Sequence, residues 1–165
     1  MRRCKPKGAR TRIAAATLWV LGVATTGLLL GCQPSDERPG LGIPGEVAEE
    51  HVQDWSFTDG VEEIFIETRT WYGIPHATTI WCVALGGNLY IGSYGEGHKY
   101  WEKNVARKPE ARVSIDGVIY EVRVDPVTDS DLVTRLDEAL NRKYDMEATF
   151  GDEDPPWWFY RLNQR

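Results

Sequence analysis

The stretches His76–Leu85 (HATTIWCVAL) and Asn88–Tyr94 (NLYIGSY), joined by Gly86-Gly87, decide how this chain folds. Both stretches are rich in β-branched and aromatic residues, which favour strands. Two glycines between such runs predict a tight hairpin turn, because glycine tolerates the positive φ angles that this turn requires. The sequence therefore predicts a β-hairpin near the middle of the chain.

Further strands are predicted on both sides of this hairpin. Ile64–Arg69 is β-branched and aromatic and lies between turn-forming residues. Ala111–Ile115 and Val118–Val124 flank Asp116-Gly117, a dependable hairpin signal. The aromatic run Trp157–Leu162 (WWFYRL) is compatible with a final strand. The sequence thus predicts a domain built mainly of short antiparallel strands.

Two helices are predicted between these strands. His98–Lys108 has helical character and ends before Pro109. Thr128–Tyr144 is the clearer helix, since Thr128 and Asp131 can form a capping box and its apolar residues recur on one stripe. Many short strands with interspersed helices favour a small barrel or an α+β fold.

The first 32 residues have the order of a bacterial export signal. Six basic residues precede Ile13–Gly31, which carries no charge, and Cys32 follows. The sequence Leu29-Leu30-Gly31-Cys32 resembles the lipobox of bacterial lipoproteins, in which the cysteine receives lipid. We therefore predict lipidation of Cys32. An uncleaved transmembrane helix and an ordinary cleaved secretory signal remain alternatives.

The predicted organisation follows from this N-terminus. Residues 1–31 are assigned to a lipoprotein signal peptide, residues 32–54 to a lipid-anchored flexible tether and residues 55–165 to the folded domain. The tether is rich in Pro, Gly and acidic residues, although residues 47–55 could instead form an arm packed on the domain. The domain is expected outside the cytoplasm, in the cell envelope, held at a bacterial membrane by its lipid anchor.

Composition excludes several classes of function. After the predicted signal the chain has 13 basic against 25 acidic residues, and so acidic a protein is not expected to bind nucleic acid. Its three histidines are far apart and no Cys-x-x-Cys pair occurs, so no metal site is predicted. No Walker-type loop and no Gly-x-Ser-x-Gly hydrolase motif occurs. Cys82, in an apolar run, is expected to be a buried packing residue.

One segment is suited to an anion. Ser93 ends a predicted strand, Gly95-Glu96-Gly97 follows, and Lys99 stands at the start of a predicted helix. Backbone N–H groups and the helix dipole attract anions at that position. A strand, a glycine loop and a lysine in this order suggest a phosphate cradle.

Several of these residues together resemble a known superfamily. The resemblance covers about residues 60–145 and lies in four segments: Thr68-Arg69-x-x-x-Gly73-x-Pro75-His76-x-Thr78-Thr79-Ile80-Trp81, Leu89-Tyr90-Ile91-Gly92-Ser93, Lys99-x-Trp101-x-x-Asn104 and Lys108-Pro109. In order and spacing they resemble the flavin-binding split β-barrel superfamily, which includes pyridoxamine 5′-phosphate oxidase-like proteins and deazaflavin-dependent nitroreductases.

The resemblance implies a mainly β (α+β) fold, a six-stranded Greek-key split barrel with two flanking helices. It also implies a homodimer that holds flavin mononucleotide (FMN) or a deazaflavin coenzyme in its groove. By position, Thr78 and Thr79 would contact the flavin ring, while Ser93 and Lys99 would contact the phosphate. Arg69 would contact a phosphate or the partner subunit. No catalytic side chain is assigned, since the cofactor itself carries the redox chemistry.

The function expected from these observations is that of a membrane-tethered, flavin-dependent oxidoreductase of nitroreductase or quinone-reductase type. The alternative is a cofactor-free envelope lipoprotein whose barrel serves as a binding or interaction module. Haem binding is a third possibility, because some split barrels bind haem. The substrate is not indicated by the sequence.

Overall fold

The computed structural model describes residues 42–151 and 155–165. The strands are β1 (Glu46–Val47), β2 (Glu63–Arg69), β3 (Pro75–Leu85), β4 (Asn88–Tyr94), β5 (Glu110–Ile115), β6 (Val118–Pro126) and β7 (Trp157–Gln164). The helices are α1 (Tyr100–Arg107), α2 (Ser130–Lys143) and α3 (Met146–Phe150), with a 3₁₀ turn over Ser56–Gly60.

Six antiparallel strands close into a barrel. Their order is β6-β5-β2-β3-β4-β7, and pairing of β7 with β6 completes the ring. β2, β3 and β4 are consecutive neighbours, and β5 returns to pair with β2, which is the Greek-key arrangement. The predicted six-stranded Greek-key barrel is therefore confirmed, with the additional strand β1 and the short helix α3.

Both predicted hairpin turns are present. Gly86 and Gly87 have φ angles of 58° and 77°, and Asp116 and Gly117 have φ angles of 49° and 83°. Positive φ at both central residues matches the right-handed twist of the flanking strands. Each turn therefore sets the register of its strand pair, such as Leu85 opposite Asn88.

The central strand β3 is buried on both of its faces. Ile80 and Cys82 belong to the core inside the barrel. Val83 belongs to a second apolar cluster, where Leu136 and Leu140 of α2 cover the barrel wall. Burial on both faces explains why β3 is a nearly continuous apolar run rather than an alternating one.

The N-terminal end of the described chain packs on the barrel. Ile43 is buried, and its N–H donates to Glu67 Oε2 at 2.9 Å. β1 pairs with β6 in parallel, and the Val52 N–H donates to Gln164 Oε1 at 2.8 Å. Residues 42–54 therefore form an arm, as the alternative expectation had it for residues 47–55, rather than a flexible tether. Their backbone groups are bound by the barrel, which composition alone does not reveal.

The predicted membrane-associated part lies outside the described residues. The signal at residues 1–31, the lipidation site Cys32 and residues 33–41 of the tether fall there. Within the two described ranges, none of the helices combines the length and the apolar character required to cross a bilayer.

Helix boundaries differ slightly from the sequence prediction. α1 begins at Tyr100 rather than His98, because Lys99 is extended. α2 is capped by Asp129, whose Oδ1 accepts a hydrogen bond from the Leu132 N–H at 2.8 Å. The predicted capping box of Thr128 and Asp131 is therefore wrong: the chain turns into the helix one residue later.

Candidate functional site

A crevice of about 210 Å³ opens on the barrel wall beside the start of α1. β3, β4, β7 and the segment before α1 all contribute to it. Its principal lining residues are Thr78, Thr79, Trp81, Tyr94, Lys99 and Trp157. Strand pairing explains the convergence, because β4 lies between β3 and β7 and brings both strands to one surface.

Aromatic rings form one wall of this crevice. Trp81 stacks on Tyr144 with ring centroids 4.5 Å apart and planes 8° apart. Trp157 lies 6.2 Å from Trp81 and within 17° of parallel. The Tyr94 ring is 5.3 Å from Trp157 at a tilt of 50°. Nearly parallel Trp rings offer a flat apolar face that suits a planar ligand.

Gly92 makes the position of Trp157 possible. Gly92 on β4 pairs with Phe159 on β7, and the Trp157 ring lies across the glycine. A Cβ at position 92 would be only 2.9 and 3.0 Å from two atoms of that ring. The absence of a side chain at Gly92 therefore lets the aromatic wall approach the strand closely.

Polar groups lie on other parts of the crevice. Thr78 is 3% exposed and Thr79 is half-buried, and both precede Trp81 on β3. The Lys99 ammonium lies 3.9 Å from the centroid of the Tyr94 ring, a cation–π contact at the crevice. Glu63 supplies a carboxylate beside Trp81, its partner in strand pairing. The crevice thus combines hydroxyls, one ammonium, one carboxylate and flat apolar rings.

Ser93 has a different environment from the crevice. Its hydroxyl donates to Glu102 of α1, inside a buried polar cluster. Glu102 also accepts from the Tyr160 hydroxyl at 3.0 Å and from the Lys99 N–H at 3.2 Å. The hydroxyl of Ser93 therefore holds α1 against the barrel rather than lining the crevice.

Glu102 also affects the ionisation of Tyr160. Burial raises the pKa of the Tyr160 hydroxyl, and the neighbouring Glu102 carboxylate raises it further. Burial likewise raises the pKa of Tyr144, whose ring stacks on Trp81. Both hydroxyls therefore remain protonated and act as hydrogen-bond donors.

Arg69 is likewise separated from the crevice. It ends β2, and its Nη1 donates to the Gly73 carbonyl at 2.9 Å within the β2–β3 hairpin. It lines another groove, of about 150 Å³, together with Lys108, Arg112 and Arg165. Three glutamates line the same groove, so its charge is mixed.

Cys82 and its neighbours connect α2 to the barrel. The Lys143 ammonium donates to the carbonyls of Thr58 at 2.8 Å and Cys82 at 2.9 Å, and it lies 3.6 Å from Cys82 Sγ. Burial raises the pKa of the Cys82 thiol, and the nearby Lys143, which lowers it, has the smaller effect. The thiol is therefore held in its protonated, unreactive form.

Sequence reasoning identified part of this crevice. Of the five residues assigned to a cofactor, the structure brings Thr78, Thr79 and Lys99 together, and it places Ser93 and Arg69 elsewhere. Trp81 and Trp157 were assigned no role at the crevice from the sequence, although they form its aromatic wall. The glycine that precedes Ser93 on β4 was the available signal, because a strand glycine often marks a close approach. Within the described residues no cluster of three or more His, Cys, Asp or Glu side chains suits a metal ion.

The comparisons with known proteins concern mainly the fold. The conserved hypothetical protein Rv2991 from Mycobacterium tuberculosis has a similar structure, with a TM-score of 0.52 and 14% identity over 75% of this chain and 86% of that one. A FAD-binding protein from Mesorhizobium loti has a TM-score of 0.48 and 13% identity over 67% of this chain and 86% of its own. At 14% identity, the similarity to Rv2991 shows a shared fold.

A further structure is a NimC/NimA family protein from Clostridium acetobutylicum, with a TM-score of 0.48 and 14% identity over 61% of this chain and 72% of its own. No curated protein matches the chain. A family model described as "Uncharacterized protein conserved in bacteria (DUF2255)" matches residues 58–152. That range includes β2 to α3 and most residues of the crevice.

Proposed function

The chain belongs to the DUF2255 family, and we propose that it is a split-barrel protein that binds a flavin-type cofactor in the crevice and acts as an oxidoreductase. The cofactor is FMN or a deazaflavin coenzyme, and the reaction is of nitroreductase or quinone-reductase type. The proposal rests chiefly on one observation: Thr78, Thr79 and Lys99 converge beside nearly parallel aromatic rings.

The crevice fits the ring of such a cofactor better than the entire molecule. Its volume of about 210 Å³ lies below the roughly 300–1,000 Å³ of pockets that enclose drug-sized ligands. Trp81 and Trp157 offer an apolar face to a planar ring, and Thr78 and Thr79 can form hydrogen bonds with its polar edge. Lys99 is the cation available to an anionic tail.

A bound flavin would supply the redox chemistry, accepting and donating electrons or hydride. The tasks of this chain would be positioning and water exclusion. The aromatic wall would cover one side of the ring, and the hydroxyls of Thr78 and Thr79 would orient it. This division of tasks needs no acid–base dyad at the crevice.

We extend the proposal to a homodimer in which a second copy covers the open side of the crevice. The tip of the β2–β3 hairpin exposes apolar side chains, and Trp71 is 74% exposed. Ile74 and Tyr100 are also exposed. Exposed apolar residues in one region are typical of interaction sites. Sedimentation should show a dimer that Trp71→Ser with Ile74→Ser weakens. If the unsubstituted protein sediments as a monomer, the proposed homodimer is contradicted.

The cofactor assignment is tested by titrating the full-length protein with FMN and with deazaflavin coenzyme while recording flavin fluorescence. Lys99→Gln should lower the affinity about tenfold or more, because a charge-assisted hydrogen bond contributes about 1.5–3 kcal/mol. Lys108→Gln, at the other end of α1, is the matched control and should leave the affinity unchanged. Absence of binding at tens of micromolar would instead favour the cofactor-free interaction module.

Membrane attachment is proposed through lipid on Cys32. Cells that express the full-length chain should incorporate labelled palmitate into it, and Cys32→Ser should abolish the label. Cys82→Ala is the control and should keep it. An unlabelled parent chain in the membrane fraction would support the transmembrane-helix alternative.

A further inference from the structure

A second groove, separate from both the crevice and the groove that Arg69 lines, lies between α1 and the strands β6 and β7. Its volume is about 250 Å³. Most of its lining is apolar and comes from Val105, Ala106, Val124 and Pro126. His98, Lys103 and Tyr160 contribute polar groups to the same groove. An apolar groove with a few polar side chains is the usual form of a small-molecule site.

The polar part of this groove is built on Glu102. This carboxylate is only 2% exposed, although it belongs to a residue type that is rarely buried. Its hydrogen bonds from Ser93, Tyr160 and the Lys99 backbone compensate the cost of burying the charge. These four residues come from β4, α1, β7 and the segment before α1, so the carboxylate is fixed by several elements.

Glu102 in turn orients His98. The Nδ1 atom of His98 lies 2.5 Å from Glu102 Oε2, while 57% of the His98 side chain is exposed. A carboxylate at Nδ1 favours a proton there and leaves Nε2 available to a ligand. The His98 ring also lies 5.5 Å from the Trp158 ring. The buried carboxylate thus holds an accessible imidazole at the groove.

Lys103 adds a positive charge to the same groove. It is the residue after Glu102 on α1, and its side chain is exposed. Glu102 carries the neighbouring negative charge, but its oxygens accept hydrogen bonds from Ser93, Tyr160, Lys99 and His98. The polar groups that remain accessible to a ligand are therefore the ammonium and the imidazole.

We propose that this groove binds an amphipathic organic anion, a carboxylate attached to a small apolar or aromatic body. The carboxylate accepts a hydrogen bond from Lys103 Nζ, and the His98 ring lies at the same groove. The apolar body packs on Ala106 and Pro126, the exposed apolar residues of the groove, where it displaces water from apolar surface. The groove is separate from the crevice, so this proposal holds whether or not a flavin binds in the crevice.

The test is fluorine NMR of the full-length protein with para-fluorobenzoate. The neutral isostere para-fluorobenzyl alcohol shows whether the charge matters. We expect the carboxylate to bind and the alcohol to bind about tenfold or more weakly, since charge-assisted hydrogen bonds are lost. Lys103→Gln should weaken carboxylate binding by a similar factor.

Two further variants separate binding from folding. Ala106→Glu adds a negative charge at an exposed position of the groove. It should abolish carboxylate binding, although neither His98 nor Lys103 is replaced. Lys108→Gln removes a nearby lysine that does not line this groove and should change nothing. No binding of the carboxylate, equal binding of the alcohol, or unchanged binding in both Lys103→Gln and Ala106→Glu would overturn the proposal.

Discussion

Single residues of this protein serve the crevice in ways that their type alone does not show. Gly92 has no side chain, and the Trp157 ring occupies the space where a side chain would lie. Ser93, the next residue, faces Glu102 instead of the crevice. Adjacent residues of a strand point to opposite faces, so one step along β4 separates the crevice from the buried cluster.

Gly92→Ala should therefore destabilise the protein. The added Cβ would overlap the Trp157 ring, and displacing a packed ring costs about 1–3 kcal/mol. Urea unfolding measures the loss, and near-ultraviolet circular dichroism should report the disturbed aromatic wall. Gly97→Ala is the control, because a Cβ there meets nothing within 4 Å. Equal stability of the two variants would show that Trp157 is not held against β4.

At the scale of elements, the helices are held by specific polar contacts in addition to apolar packing. Asn104 of α1 is fully buried, and its Nδ2 donates to Thr68 Oγ1 of β2 at 3.0 Å. Lys143 and Tyr144, at the end of α2, bind backbone groups at Cys82. These contacts fix where each helix meets the barrel, and hence where the crevice and the second groove lie.

The start of α2 gives a test at this scale. Asp129→Ala should lower the free energy of unfolding by about 1 kcal/mol, because the Leu132 N–H loses its side-chain acceptor. Thr128→Ala, one residue earlier, should change it by less than about 0.5 kcal/mol. Thermal or urea unfolding of both variants provides the comparison. A larger loss of stability in Thr128→Ala than in Asp129→Ala would support the capping box expected from the sequence.

For the whole molecule, buried titratable groups connect stability to pH. Burial raises the pKa values of Cys82, Tyr144 and Tyr160 above those of the unfolded chain. Their protonated forms therefore stabilise the fold fully below the unfolded pKa values, about 8.5 for Cys and 10 for Tyr. This stabilisation is lost as the pH rises through the higher folded values, because the unfolded chain releases its protons first.

The free energy of unfolding should accordingly fall from about pH 8 upward, and more steeply above about pH 10. Cys82→Ala should flatten the decline between these values, since the first of the three groups is removed. It should leave the steeper decline due to the tyrosines. Urea unfolding across this pH range measures both. If the free energy of unfolding falls equally with pH in the unsubstituted protein and in Cys82→Ala, then Cys82 does not contribute to the pH dependence.

Much of the barrel could be predicted because its signals are local. Gly86-Gly87 and Asp116-Gly117 specify hairpins, and alternation or apolar runs specify the neighbouring strands. For the arm at residues 42–54, local signals left two alternatives open, a flexible tether and, over residues 47–55, an arm packed on the domain. Its composition is that of a linker, and only the barrel's partners for Ile43 and Val52 give it a fixed place.

The sequence by itself determined the strands and the tight turns, since these depend on short-range backbone preferences. Thr78 and Thr79 were assigned only through the resemblance to a known superfamily, and Lys99 also from its place before a helix. The tertiary structure alone decided that Trp81 and Trp157 form the aromatic wall and that Glu102 holds His98 at a second groove. Trp157 reaches Trp81 only because β7 pairs with β4, which in turn pairs with β3. Contacts between distant segments depend on strand order, which no local pattern encodes.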